Sequence, residues 1–251
     1  MLKLMKFEMI HSVRTFATSF IIFLLGCVLM PFAIHFLAGN QTSEFILGAL
    51  GLIFVILTMG ILLALFVSVF INYKRSMFER PGYLTLTLPK SNLEIIVSKL
   101  IVAIVWIFIG MLVLFGGILL MGLFVSLLEG NLNNIKDIFK ALSIVIENIN
   151  IDAYKVFSTT LLCIAELAFV VSSIYLSISI VHTRWIKKYK TVIAIVIFFV
   201  LNMILNMDVF NFVFAISQIN MDILYLVIYI LSGAVLIILS TYILDHYIEV
   251  E

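Results

Sequence analysis

The side chain least suited to its surroundings is Glu166, a carboxylate about ten residues into the apolar run from Val156 to Val181. A charged group at such depth in hydrocarbon is costly unless it is neutralised, hydrated or partnered. No Lys or Arg occupies the centre of any apolar run to pair with it. Two readings stay open: Glu166 lines a water-accessible cavity or path, or it is a protonated acid hydrogen-bonded between helices. Asn202 and Asn206, one turn apart in a later run, suit hydrogen bonding that binds helices together, with cavity lining as the lesser alternative. These three are the candidate substrate-path residues. Catalytic sets are harder to find. His11, His35, His182 and His246 are scattered, with no H-E-x-x-H or G-x-S-x-G pattern. Cys27 and Cys163 fall inside apolar runs without a C-x-x-C pair, so they read as small packed hydrophobes and not as a metal or disulfide site. No glycine is followed by lysine, so the G-x-x-x-x-G-K-[ST] phosphate cradle is missing. The expectation is a protein that is not an enzyme, holds no metal or cofactor, and leaves any ATP hydrolysis to a separate subunit.

The elements that must position these residues follow from composition. With 64% hydrophobic and 12% charged residues, the chain is far from the balance of a soluble domain. Its apolar runs reach the length of about 18 residues or more that crosses a bilayer as a helix, and they lack the alternation of barrel strands. An all-α, polytopic membrane protein with six transmembrane helices is expected, as one permease-like domain over residues 1–251. The spans are placed at about 15–38, 45–71, 93–128, 156–181, 191–207 and 223–244. Before the first, Leu2, Met5, Met9 and Val13 share a helical face apart from Lys3 and Lys6, which predicts a short amphipathic helix on the membrane surface before the chain turns inward. Pro31 should kink the first span. Gly60, Ala64 and Ser68 at four-residue spacing offer a close-approach face on the second. Ser91-Asn92-Leu93-Glu94 fits a capping box that starts the third. Residues 131–155 carry an amphipathic pattern suited to a surface helix, with a lid over a substrate path as the alternative. Val209 to Ile219 is too short to span and is expected as a re-entrant segment before the last helix.

Orientation comes from the basic residues. Lys3, Lys6, Arg14, Lys74, Arg75, Arg80, Lys90, Lys99, Arg184, Lys187, Lys188 and Lys190 all fall on one side of this six-span arrangement, against Lys136, Lys140 and Lys155 on the other. The positive-inside rule then places both termini and the interval from Asn72 to Lys99 in the cytoplasm of a cell (plasma) membrane protein. A net charge of +1 argues against nucleic acid as a partner. The interval itself is odd: Tyr83, Leu84, Leu86 and Leu88 alternate with Thr85 and Thr87 between Pro81-Gly82 and Pro89. A segment so apolar on the waterside marks a partner site.

Phe78-Glu79-Arg80-Pro81-Gly82-Tyr83-Leu84-Thr85-Leu86-Thr87-Leu88-Pro89, followed by Ser98-Lys99-Leu100, resembles the cytoplasmic loop between spans two and three in the permease subunits of type 2 ABC exporters. Within that class the chain is similar to small Gram-positive peptide exporters, including those for phenol-soluble modulins and lantibiotics. The resemblance implies that Glu79, Arg80, Tyr83, Leu84, Thr85, Leu86, Thr87 and Leu88 form a coupling helix seated in an ABC ATPase subunit, with ATP and Mg held by that partner. It also implies a second permease copy, a homodimer being expected, with a path between the copies for an amphipathic or hydrophobic peptide. By propensity alone, alternating Leu and Thr suits a strand as well as a helix. Two other functions remain in play from the residues: a membrane-embedded small-molecule binding subunit of an importer, and an intramembrane enzyme built on Glu166.

Overall fold

The computed structural model describes residues 2–38, 44–79, 91–128, 140, 153–183, 186, 188–215 and 221–247. Backbone groups in lipid must bond within their own segment, and the described chain does so as helices. These are α1 (Leu2–Ala38), α2 (Glu44–Phe78), α3 (Asn92–Leu128), α4 (Ala153–Val181), α5 (Lys190–Ala215) and α6 (Met221–His246). No strand occurs among the described residues. Five of the described helices are long and apolar enough to cross a membrane, while α5 contributes a shorter apolar stretch, Lys190–Ile204. The chain is an all-helical protein of multi-pass membrane character.

Several boundaries differ from those expected. The separate surface helix is absent: α1 is continuous from Leu2 to Ala38, straight through the turn expected near Thr15. Nothing in residues 2–25 is a proline or glycine that would break it, and the polar Glu8 and Ser12 are buried. Pro31 lies inside the same helix, where it removes one backbone donor without ending the element. At its far end α2 runs to Phe78 instead of stopping at Ile71, because Tyr73, Met77 and Phe78 are buried and hold the last two turns. Asn92 opens α3, with the Glu94 N–H donating to Ser91 Oγ and the Ile95 N–H to the Ser91 carbonyl, each at 3.3 Å. That is the N-cap half of the capping box. The break expected after Asn206 is missing, since α5 continues to Ala215; the side chains of 205–215 and all of 216–220 lie outside the described residues. The amphipathic segment 131–155 lies outside them too, apart from Lys140 and the start of α4.

The chain divides into two compact units. One comprises Val13–Ser68 and Trp106–Ile151. Its described core lies where α1, α2 and α3 meet, with Phe16, Phe23, Cys27, Ile61 and Leu65 buried. Trp106 stacks on Phe16 at 5.0 Å between ring centres and 2° between planes, a contact worth about 0.5–1.5 kcal/mol beyond its buried area. Close approach falls at glycines: a Cβ on Gly117 would lie 2.5 Å from Phe23 Cε1 and 3.1 Å from Cys27 Sγ. Gly60, expected to make such an approach, faces open space beside a groove of about 290 Å³ lined by Ile22, Phe23, Leu57, Ile61 and Ala64.

The other unit comprises Met1–Ser12, Val69–Val105 and Asp152–Glu251. Its centre is α4, more than half buried over its apolar window where the other candidate spans are buried by 28% or less. Ser172, Ser173, Ser177 and Ser179 are wholly buried. Their hydroxyls donate to carbonyls three or four residues back, from 2.6 Å for Ser172 to 2.8 Å for Ser179, so burial leaves them satisfied. Small satisfied side chains let α6 come close: a Cβ on Gly233 would lie 3.7 Å from the Phe169 Cα. Phe169, Leu176 and Leu236 form the apolar core there.

Candidate functional site

The described structure reaches the candidate ATPase-docking segment at both flanks. Glu79 is exposed just past the end of α2. Arg80, Tyr83, Leu84, Thr85, Leu86, Thr87 and Leu88 lie outside the described residues. The chain is described on either side of it. From the end of α2, Tyr73 stacks on Tyr175 of α4 with ring centres 3.9 Å apart and planes 11° apart. Its hydroxyl shares a 3.2 Å hydrogen bond with Ser179 Oγ. One turn on, Phe78 stacks on His182 at 4.2 Å and 21°, and His182 is fixed by its Nδ1–H donating to the Ile178 carbonyl at 2.8 Å. The last two turns of α2 are thus fastened to α4 by two ring pairs that need no charge. His182, one of four histidines scattered in the sequence, is one of the fasteners.

On the other flank, Lys99 of α3 is almost entirely buried, as is Glu8 of α1. Lys99 Nζ donates to Glu8 Oε1 and to Ser76 Oγ of α2. Three helices therefore meet at one ammonium. A charge pair out of water is expensive and persists only with good geometry and further hydrogen bonds, and the Ser76 hydroxyl supplies one. Nearby, Ser12 Oγ donates to the Glu8 carbonyl at 2.7 Å. The start of α3 also meets the end of α6, with Asn92 Nδ2 donating to Asp245 Oδ1 at 2.6 Å. Lys74 Nζ donates to Thr191 Oγ1 of α5 at 3.4 Å.

The charge cluster escaped sequence reasoning. Lys99 counts there as a basic residue near the waterside and as part of Ser98-Lys99-Leu100, and Glu8 carries no role. The signal was present in part, since Glu8 is the sole acid among the first forty residues and Lys99 is the one Lys or Arg between Asn92 and Leu128. Their pairing, 91 residues apart, had no local trace. The buried serines of α4 read in the sequence as small residues in an apolar run.

The substrate-path candidates separate. Glu166 is exposed, between buried Ala165 and Phe169, and makes no hydrogen bond or ion pair with any described residue. Asn202 Nδ2 donates to Ser173 Oγ of α4 at 3.1 Å and to the Phe198 carbonyl at 2.9 Å, which ties α5 to α4. Ser173 is seven residues from Glu166, about 10 Å along a helix, so Asn202 binds α4 at another level than the carboxylate. The Asn206 side chain lies outside the described residues. Cys27 is buried and packs as expected, but Cys163 is exposed; both are free thiols. No group of three or more His, Cys, Asp or Glu among the described residues could hold a metal ion.

A multi-pass helical membrane protein is the class these elements define. No family model, curated protein or solved structure matches the chain.

Proposed function

We propose that the chain is the membrane-spanning permease subunit of an ABC exporter, working as two copies with two ATPase subunits and moving an amphipathic or hydrophobic peptide. The single observation that carries this reading is the segment Phe78 to Pro89 with Ser98-Lys99-Leu100 after it. In this reading the segment is an ATPase-docking loop, with Tyr83, Leu84, Leu86 and Leu88 as apolar anchors, Thr85 and Thr87 between them, and Glu79 and Arg80 fixing orientation. The firm anchoring of its flanks supports it. An element that transmits force needs ends that do not yield, and the ends of α2 and α3 are held by buried ring pairs and a buried charge cluster. With six spans and the basic residues inside, both termini and the loop face the cytoplasm of the plasma membrane.

Glu166 belongs to the path in this reading. An exposed carboxylate amid apolar surface is stable only beside water, a partner chain or substrate, and the second permease copy with the path between them provides all three. ATP and Mg stay in the partner subunit, whose motion rocks the spans of the two copies to alternate access.

The test replaces two of the four anchors together. Tyr83→Ala with Leu86→Ala should insert in the membrane normally, co-purify with much less ATPase, and abolish export. Transport and ATPase recovery equal to wild type in that variant would sink the assignment.

A further inference from the structure

The two arms of the proposed docking loop meet at one point on α1. Ser76 lies three residues before Glu79, Lys99 seven after Asn92, and Lys99 joins both Ser76 and Glu8. All three side chains are buried. Such a pair is a poor source of stability, because desolvation of both ions offsets the attraction and apolar residues of similar volume hold comparable sites as well or better. What it supplies is direction. Charge-assisted hydrogen bonds fix the mutual position of the groups they join, whereas apolar side chains can slide past one another at little cost.

We infer that Glu8, Ser76 and Lys99 form a clamp that carries displacement of the 80–90 segment into α1, so that the first turns of α1 move with the loop. They are positioning residues and touch no substrate. The inference rests on reading that segment as the ATPase-docking element. The ring pairs Tyr73–Tyr175 and Phe78–His182 do the same for α4, so one displacement reaches α1 and α4 together.

The test uses the full chain co-expressed with its ATPase and reconstituted in vesicles, with a labelled amphipathic Leu/Lys helical peptide as the transported probe. Glu8→Met/Lys99→Met keeps the buried volume and removes both charges together. It should fold, bind ATPase and hydrolyse ATP, while peptide moved per ATP falls about tenfold, inside the range of coupling between linked sites. The reversed pair, Glu8→Lys/Lys99→Glu, should recover most of that loss. A purely structural pair predicts full coupling in the apolar double variant; that result overturns the clamp, as does a reversed pair no better than the apolar one. A wild type that binds no ATPase or moves no peptide overturns the docking reading instead. The clamp then stands or falls on labelling that needs no ATPase. In a Cys27→Ala/Cys163→Ser background, Ser12→Cys should react with a membrane-permeant maleimide about tenfold faster when the charge pair is replaced by methionines, and equal rates overturn it.

Discussion

Replacing Lys99 alone by methionine leaves the Glu8 carboxylate, only 3% exposed, without its cation and removes the donor to Ser76 Oγ. Methionine nearly matches the lysine stem in volume, so packing changes little and the loss is electrostatic. Removing one member of a buried ion pair costs about 3–5 kcal/mol, whereas replacing both by apolar residues is neutral or stabilising by about 1–4 kcal/mol. For a chain of this size, each kcal/mol moves the melting temperature by about 2–4 °C. Lys99→Met should therefore melt roughly 10 °C below wild type, while Glu8→Met/Lys99→Met melts at or above it. The free buried thiol of Cys27 offers the assay. In a Cys163→Ser background, a thiol-activated dye in detergent reports the temperature at which the helices open. A single variant that melts with wild type, or a double variant that melts as low as the single one, would refute the reasoning.

Two more outcomes follow from the geometry. Gly117→Ala places a methyl against Phe23, which is 3% exposed and has little room to move. It should lower stability by about 1–3 kcal/mol in the same melt. Gly116→Ala, where an added Cβ meets nothing within 4 Å, should raise it by up to about 1 kcal/mol; equal effects at the two positions would refute the packing account. Glu166→Gln keeps shape and removes the charge, so it should leave expression and melting unchanged while altering export by about tenfold or more if the carboxylate faces the path. A large change in melting with unchanged export would place Glu166 in a structural hydrogen bond instead.

Much of the architecture was legible in the residues. Long uncharged runs can only satisfy their backbone as helices, and that rule is local, so the helical class and most span centres follow from composition. The capping box at Ser91 to Glu94 placed a helix start for the same local reason. Asn202 was readable as helix glue because an amide in an apolar run has few other stable uses. Boundaries were less secure: α1 keeps its first turns and α2 its last ones because tertiary burial of Glu8, Ser12, Tyr73 and Phe78 outweighs the polarity that suggested loops or a surface helix.

By itself the sequence determined that this is a helical protein of membrane character and that Glu166 is a carboxylate set in an apolar run. Only the tertiary structure decided that Lys99 pairs with Glu8 and Ser76, that the α2 rings lie on Tyr175 and His182, and that Glu166 is exposed on the single chain. Periodicity and propensity act over a few turns of one helix, whereas a buried charge pair is chosen by which helices pack together, and no local pattern records a partner 91 residues away.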